Sequence, residues 1–279
     1  MKKIIAAFDG LSFSESTKDY SIFMAKHMEA HLVGVFLDDV TRHSYSVAEL
    51  TKYAGSFDDH LEELNQKDRD ARDQAVDNFS RDCQEAGVNF SIHRDKNVAL
   101  QDLLHESIYA DLLVVDSKET LTRFEEIPPT RFMRDLLTDV QCPVLVVPSS
   151  YKPVENIVFL YDGEPSSVHA VKMFSYLMPG FKNFDIEFLC AKGEDESLHL
   201  PENKLMKEFM KRHYPKAAYV VIKGFIEDKI VSYLAHQKRE SLIVLGAYRR
   251  SRMSRLFRQS MADVLMNHLK LPLFIAHNK

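Results

Sequence analysis

Ser241–Ala276 reads SLIVLGAYRRSRMSRLFRQSMADVLMNHLKLPLFIA, and its order of elements decides the fold. The apolar run Leu242–Leu245 ends at Gly246 and gives way to a loop carrying Arg249, Arg250, Arg252 and Arg255. Met261, Val264, Leu265 and Leu269 then recur at three- and four-residue spacing, which predicts a helix. Pro272 closes that helix, and Leu273–Ala276 is a second apolar run. Strand, charged loop, helix and strand in this order form the end of a parallel-sheet unit, because parallel strands require a crossover. In such sheets ligands bind beyond the carboxyl ends of the strands, so Gly246 and the basic loop mark a candidate site.

The same alternation runs backwards through the chain. Lys3–Phe8 reads as a buried strand stopped by Asp9-Gly10, with Ser12, Ser14 or Ser16 available to cap a helix striped by Tyr20, Phe23, Met24 and His27. Strands follow at Ala30–Leu37, Val88–His93, Leu112–Val115 and Pro143–Val147. Between them lie a long charged helix from Asp58 to Ala86 ended by Gly87, a helix capped by Asn97, and a helix over Arg131–Asp139. Pro148–Pro153 is a linker of serines between prolines. After it the pattern restarts. Asn156–Leu160, Phe184–Cys190 and Ala218–Ile222 are strands, and helices are expected from Ser166 or Ser167, over Glu202–His213 and over Ile226–His236.

Ile4–Gly10 (IIAAFDG) matches Ile157–Gly163 (IVFLYDG), and Cys142–Val147 (CPVLVV) matches Leu271–Ala276 (LPLFIA). The chain is therefore an internal repeat whose first copy is the longer. Its strands are too apolar for a half-exposed antiparallel sheet. The reading is a Rossmann-like, doubly wound five-stranded parallel sheet duplicated in tandem, with units at residues 1–149 and 154–279. A length of 279 residues accommodates two such units.

Composition narrows the function. A net charge of -5, from 36 basic and 41 acidic residues, argues against coating nucleic acid, although a local basic pocket is compatible with it. The apolar run after Met1-Lys2-Lys3 is too short for a signal peptide, and none reaches membrane-spanning length. The three scattered cysteines suit reduced core thiols. A cytoplasmic protein with neither nucleic-acid nor membrane partner is expected. No HExxH, GxSxG, GxGxxG or paired-cysteine ligand spacing is present, so no catalytic and no metal-binding residue is assigned. Asp38-Asp39 and Glu125-Glu126 read as solvated acidic pairs.

The duplicated strand–Asp-Gly–serine start, the strand ending at Gly246 before a basic loop, and the two closing strands resemble the tandem universal stress proteins. That resemblance covers nearly the whole chain. It implies a stress-response protein that works by sensing a ligand or by protein interaction, with the two copies joined as an intramolecular pseudo-dimer through their closing strands. A homodimer or an unidentified protein partner is compatible with it. ATP-binding members carry a glycine, two residues, a second glycine, nine residues, then glycine before serine or threonine. Here those positions are Gly246, Arg249 and Gln259 followed by Ser260, so only the first glycine and the serine remain. In the first copy the strand ends at Asp116-Ser117, and Pro128-Pro129 stands where the phosphate loop would enter its helix.

Weak or absent nucleotide binding is therefore expected. The alternative is an adenine-nucleotide module, with ATP and weak ATPase activity, confined to the second copy. Its candidate residues are Asp162, Gly163, Cys190, Gly246, Arg249, Arg250, Gln259 and Ser260. Ser260 can donate to a phosphate from a helix start, and the arginines supply charged donors. Arg249 and Gln259 can equally fill that space. By the resemblance Asp9 and Asp162 would lie near an adenosine. As turn residues they would instead accept from their own backbone. Val35 and Cys190 would offer backbone groups to an adenine, or else serve as core.

Overall fold

The computed structural model describes residues 2–38, 42–50, 57–95, 98–247 and 260–277. Among the described residues ten strands form one sheet: β1 (Lys3–Asp9), β2 (His31–Leu37), β3 (Phe90–Asp95), β4 (Leu112–Asp116), β5 (Val144–Val147), β6 (Asn156–Leu160), β7 (Asp185–Lys192), β8 (Ala218–Lys223), β9 (Ser241–Gly246) and β10 (Leu273–Ala276). Their order is β3-β2-β1-β4-β5-β10-β9-β6-β7-β8. Every neighbouring pair is parallel except β5 and β10, which run antiparallel with Phe274 opposite Leu145. The first five strands and the last five thus repeat one order about the β5–β10 seam, as a duplicated Rossmann-like α/β fold requires.

Helices cover both faces. On one face lie α1 (Glu15–Met28), α3 (Phe57–Glu85), α6 (Pro165–Leu177) and α7 (Asn203–His213). On the other lie α4 (Ala99–Ile108), α5 (Arg131–Asp139), α8 (Ile226–Ala235) and α9 (Met261–His268). A short α2 (Val47–Leu50) and a 3-10 turn at Pro179–Asn183 complete the elements among the described residues. Successive strand residues point to opposite faces. Ile4, Ala6 and Phe8 therefore join the α1/α3 core, whereas Ile5 and Ala7 join the α4/α5 core. Burial on both faces explains why the strands read as unbroken apolar runs.

The ends of the helices follow local chemistry. Ser14, one of three candidate serines, caps α1 by accepting from the Thr17 N–H at 3.2 Å. Thr130 caps α5 in the same way, accepting from Met133 at 3.1 Å. α6 starts one residue before the expected serines, because Pro165 takes its first position, where its missing N–H loses no helical bond. Ser166 and Ser167 are buried within its first turn. α4 is capped by Val98 without a side-chain bond; Asn97, the expected cap, lies outside the described residues.

Two kinds of contact hold the halves together. The β5–β10 ladder gives both closing strands a partner, and all eight of their residues are buried. Beside it, an aromatic seam joins α1 to the linker and the second half. Tyr20 meets Tyr151 edge-on at 4.7 Å between centroids, and Phe23 meets Phe181 at 5.8 Å. Lys2 donates to the Leu177 carbonyl across the same line. Phe274, fully buried and opposite Leu145 of β5, packs edge-on against Phe174 of its own half at 5.2 Å. Phe274→Ala is expected to lower the unfolding free energy by about 3–5 kcal/mol in urea denaturation, through lost burial and a residual cavity. A change below about 1 kcal/mol would show that Phe274 is not part of a packed core.

Candidate functional site

The order of strands reverses at β1/β4 in the first half and at β6/β9 in the second. Crevices at such points, beyond the carboxyl ends of the strands, are the ligand positions of open α/β sheets.

In the first half the crevice is lined by its own ions. Asp9, at the end of β1 and 2% exposed, accepts from the Leu11 N–H at 2.9 Å and from Arg42 at 3.0 Å. Asp38, just past β2, is buried against Arg94 of β3 at 3.1 Å and Arg72 of α3 at 3.4 Å. Arg94 also donates to Asp73 at 2.6 Å, and Arg72 to the Arg42 carbonyl at 2.8 Å. Asp116, ending β4, accepts from the Ser14 hydroxyl and from the Lys118 N–H, both at 2.8 Å. Ser14 thus serves two groups: it caps α1 and ties the start of that helix to the tip of β4.

Two findings differ from the sequence reading. Asp38 is not a solvated loop acid; it is a buried carboxylate neutralised by arginines brought from α3 and β3. Arg42, Arg72, Arg94 and Glu119 stand far apart in sequence, and no spacing links them into a legible site. The turn aspartate reading of Asp9 is visible in its bond to Leu11.

Glu119 completes the cluster. Its carboxylate accepts from the Thr120 and Leu121 N–H groups at 3.0 and 2.9 Å, and its carbonyl accepts from the Thr130 hydroxyl at 2.5 Å. It therefore pins the segment between β4 and α5. Burial, then the charge of Asp9 and more weakly Asp116, push its carboxyl from 4.5 up to about 7, against the pull of the two N–H donors. Negative charge on Glu119 repels a phosphate at this place.

The second half is arranged differently. Asp162 follows β6, is exposed, and accepts from the Glu164 N–H at 2.9 Å. Gly163 adopts φ 87°, and a Cβ there would stand 2.5 Å from that of Pro201. Tyr161 fixes the same segment by donating to the Pro201 carbonyl at 2.9 Å. Gly246 ends β9 in van der Waals contact with the first turn of α6; a Cβ on it would fall 2.3 Å from the Ser166 carbonyl oxygen. Close packing of strand on helix is thus reason enough for glycine at this position.

Ser260 caps α9 in a capping box with Asp263, whose carboxylate accepts from the Ser260 N–H at 3.4 Å. Its hydroxyl is therefore engaged with its own helix start. Cys190 lies in β7, 1% exposed, and burial raises its thiol above the ordinary range. Cys83 and Cys142 are likewise buried, each pushed up to about 12, as suits inert core thiols. His277, which the sequence reading passed over, meets the Ala247 carbonyl at 3.0 Å and fastens the end of β10 to the end of β9. Arg249, Arg250 and Gln259 lie outside the described residues. The structure thus brings Gly246, Gly163 and Asp162 to the carboxyl ends of β6 and β9, while Ser260 opens the helix that follows.

Among the described residues no group of three His, Cys, Asp or Glu side chains is placed to hold a metal ion. No described helix is long and apolar enough to cross a membrane.

No family model matches the sequence. No curated protein matches it either. Solved structures do. A universal stress protein from Archaeoglobus fulgidus DSM 4304 is similar over 99% of this chain and 98% of its own, at 11% identity and a TM-score of 0.68. A protein of unknown function from Pseudomonas aeruginosa PAO1 is similar over 99% of this chain and 92% of its own, at 12% identity and a TM-score of 0.60. The class is a duplicated Rossmann-like α/β fold. Within it, the whole chain has the architecture of a tandem universal stress protein, and the likeness is one of fold.

Two outcomes are expected. A carboxyl raised on folding binds more protons in the native state, so Glu119 lowers stability as pH rises from 4.5 to about 7. Glu119→Gln, which keeps the acceptor for Thr120 and Leu121, should be the more stable protein at pH 8 by about 1–3 kcal/mol, and equal to wild type near pH 4. Urea titrations at both pH values test this; a pH-independent difference would contradict it. Gly246→Ala should destabilise by about 1–3 kcal/mol through overlap with Ser166, read from the denaturation midpoint, and a neutral result would remove the packing role.

Proposed function

We propose that this chain is a universal stress protein-like stress-response protein of the cytoplasm, acting by ligand sensing or protein interaction and not by turnover. Its two units span residues 1–149 and 154–279, each a doubly wound five-stranded sheet, and the helices on both faces support that division. The observation that carries the functional reading is the first crevice. Asp9, Asp38 and Asp116 are buried there, neutralised by Arg42, Arg72 and Arg94 or held by backbone donors, and Glu119 adds a fourth carboxyl. A nucleoside phosphate entering this place would have to displace ion pairs and approach carboxylates, both unfavourable in a buried setting.

A second reading keeps an adenine nucleotide in the second half. What favours it is the different environment there. Asp162 is exposed at the tip of β6, no cluster of buried carboxylates surrounds it among the described residues, and Gly246 leads toward Arg249, Arg250, Gln259 and Ser260. A bound ATP with weak hydrolysis would belong to that corner, with Gly163 and Cys190 beside it. Under this reading the Ser260 hydroxyl would exchange its capping bond for a phosphate oxygen.

Calorimetric titration with ATP, ADP and AMP distinguishes the two. The first reading expects dissociation constants above about 100 μM for all three, unchanged by Arg249→Ala or Ser260→Ala. Submicromolar ATP binding lost in Ser260→Ala would overturn it in favour of the second.

A further inference from the structure

α3 and α7 hold equivalent places in the two halves, yet their surfaces are opposite. α3 links β2 to β3 and α7 links β7 to β8, and both bury their apolar residues on the sheet face shared with α1 and α6. α3 carries ten carboxylates against four cations. Glu63, Asp70 and Asp77, seven residues apart and all exposed, share one side of it. α7 carries Lys204, Lys207, Lys211 and Arg212 against the single Glu208, and all four cations are exposed.

The apolar content of the α7 surface is as unusual as its charge. Leu205 is 63% exposed, Phe209 is half-buried beside it, and Tyr176 of α6 is 63% exposed. The His213 ring bridges them, 4.3 Å from Phe209 and 5.7 Å from Tyr176 between centroids. Lys172 and Lys182 border the same patch closely enough to add to the effect of burial in holding His213 below its ordinary value. None of the four α7 cations forms an ion pair with another described residue. Unpaired cations around exposed aromatic and aliphatic side chains form a docking surface for an acidic partner.

We propose that this surface binds a second copy of the same chain, the acidic side of α3 in one copy lying against the basic, apolar side of α7 in the other. Both complementary surfaces are then present on one polypeptide. The exposed Phe57 at the start of α3 offers an apolar contact for Leu205. The net charge of -5 disfavours an anionic bilayer as the occupant, since the molecule as a whole is repelled by it. The pairing extends association beyond the β5–β10 seam, which already uses the closing strands within one chain.

The test is sedimentation velocity of the full chain from about 5 to 100 μM, at about 50 mM and 500 mM salt. The wild type should rise above its 32.2 kDa monomer mass with concentration at low salt and return toward it at high salt. Lys204→Glu/Lys207→Glu/Lys211→Glu and Glu63→Lys/Asp70→Lys/Asp77→Lys should each weaken association at least about tenfold, with unchanged circular dichroism. An equimolar mixture of the two charge-reversed proteins should associate again, since each supplies the sign the other lost. A monomer under all conditions, an association indifferent to salt and reversal, or a mixture that stays monomeric would overturn the proposal. So would binding of anionic phosphatidylserine vesicles by the wild type without self-association. Nucleotide titration reads a different part of the molecule, so either account can fail alone.

Discussion

The pairing of β5 with β10 is the constraint on which the rest of the molecule depends. Each is a four-residue, fully buried strand at the end of its own parallel set. Without a partner, each would leave a row of backbone donors and acceptors unsatisfied inside a core. Antiparallel pairing is the solution that lets two identical edges meet. It makes ten strands one sheet, puts the equivalent helices of both halves on common faces, and sets the two crevices at opposite ends of the strands. The aromatic seam from Tyr20 and Phe23 to Tyr151 and Phe181 follows from that placement.

Duplication left the halves free to diverge where the sheet does not constrain them. The strands kept the same order and the same apolar character, because both faces are covered in both halves. The crevices did not stay alike. The long α3 supplies Arg72 and Asp73, and β3 supplies Arg94, so the first crevice is closed by ion pairs and backbone bonds. The shorter α7 supplies no such groups to the second, and its cations point outward. One difference in helix length and charge thus accounts for a front crevice filled by ion pairs and for two outer surfaces of opposite sign.

How much of this could be read beforehand depended on whether the signal was local. The Asp9-Gly10 and Asp162-Gly163 tips, the closing strands and the alternation of elements are short-range patterns, and they placed the fold and its seam. Gly87 ended α3 as its position implied, at φ 67°. The start of α6 was misplaced by a residue because Pro165 competes with the serines for that end of the helix. Asp38 was misread because its partners come from distant elements, Arg94 standing 56 residues away. Gly246 was legible as a special position, but its neighbour, the Ser166 carbonyl, belongs to a helix eighty residues earlier in the chain. For the candidate site the ordering of residues was readable, while burial and charge balance required the fold.

The most direct test of the central claim is hydrogen exchange of the backbone amides, followed by mass spectrometry under native conditions. If the β5–β10 ladder joins the halves into one cooperative sheet, peptides covering Val144–Val147 and Leu273–Ala276 will exchange together, as slowly as those covering β1 and β6, and only through global unfolding. Rapid exchange at these two strands while β1 and β6 remain protected would mean that the halves fold as separate bodies, and would contradict the account.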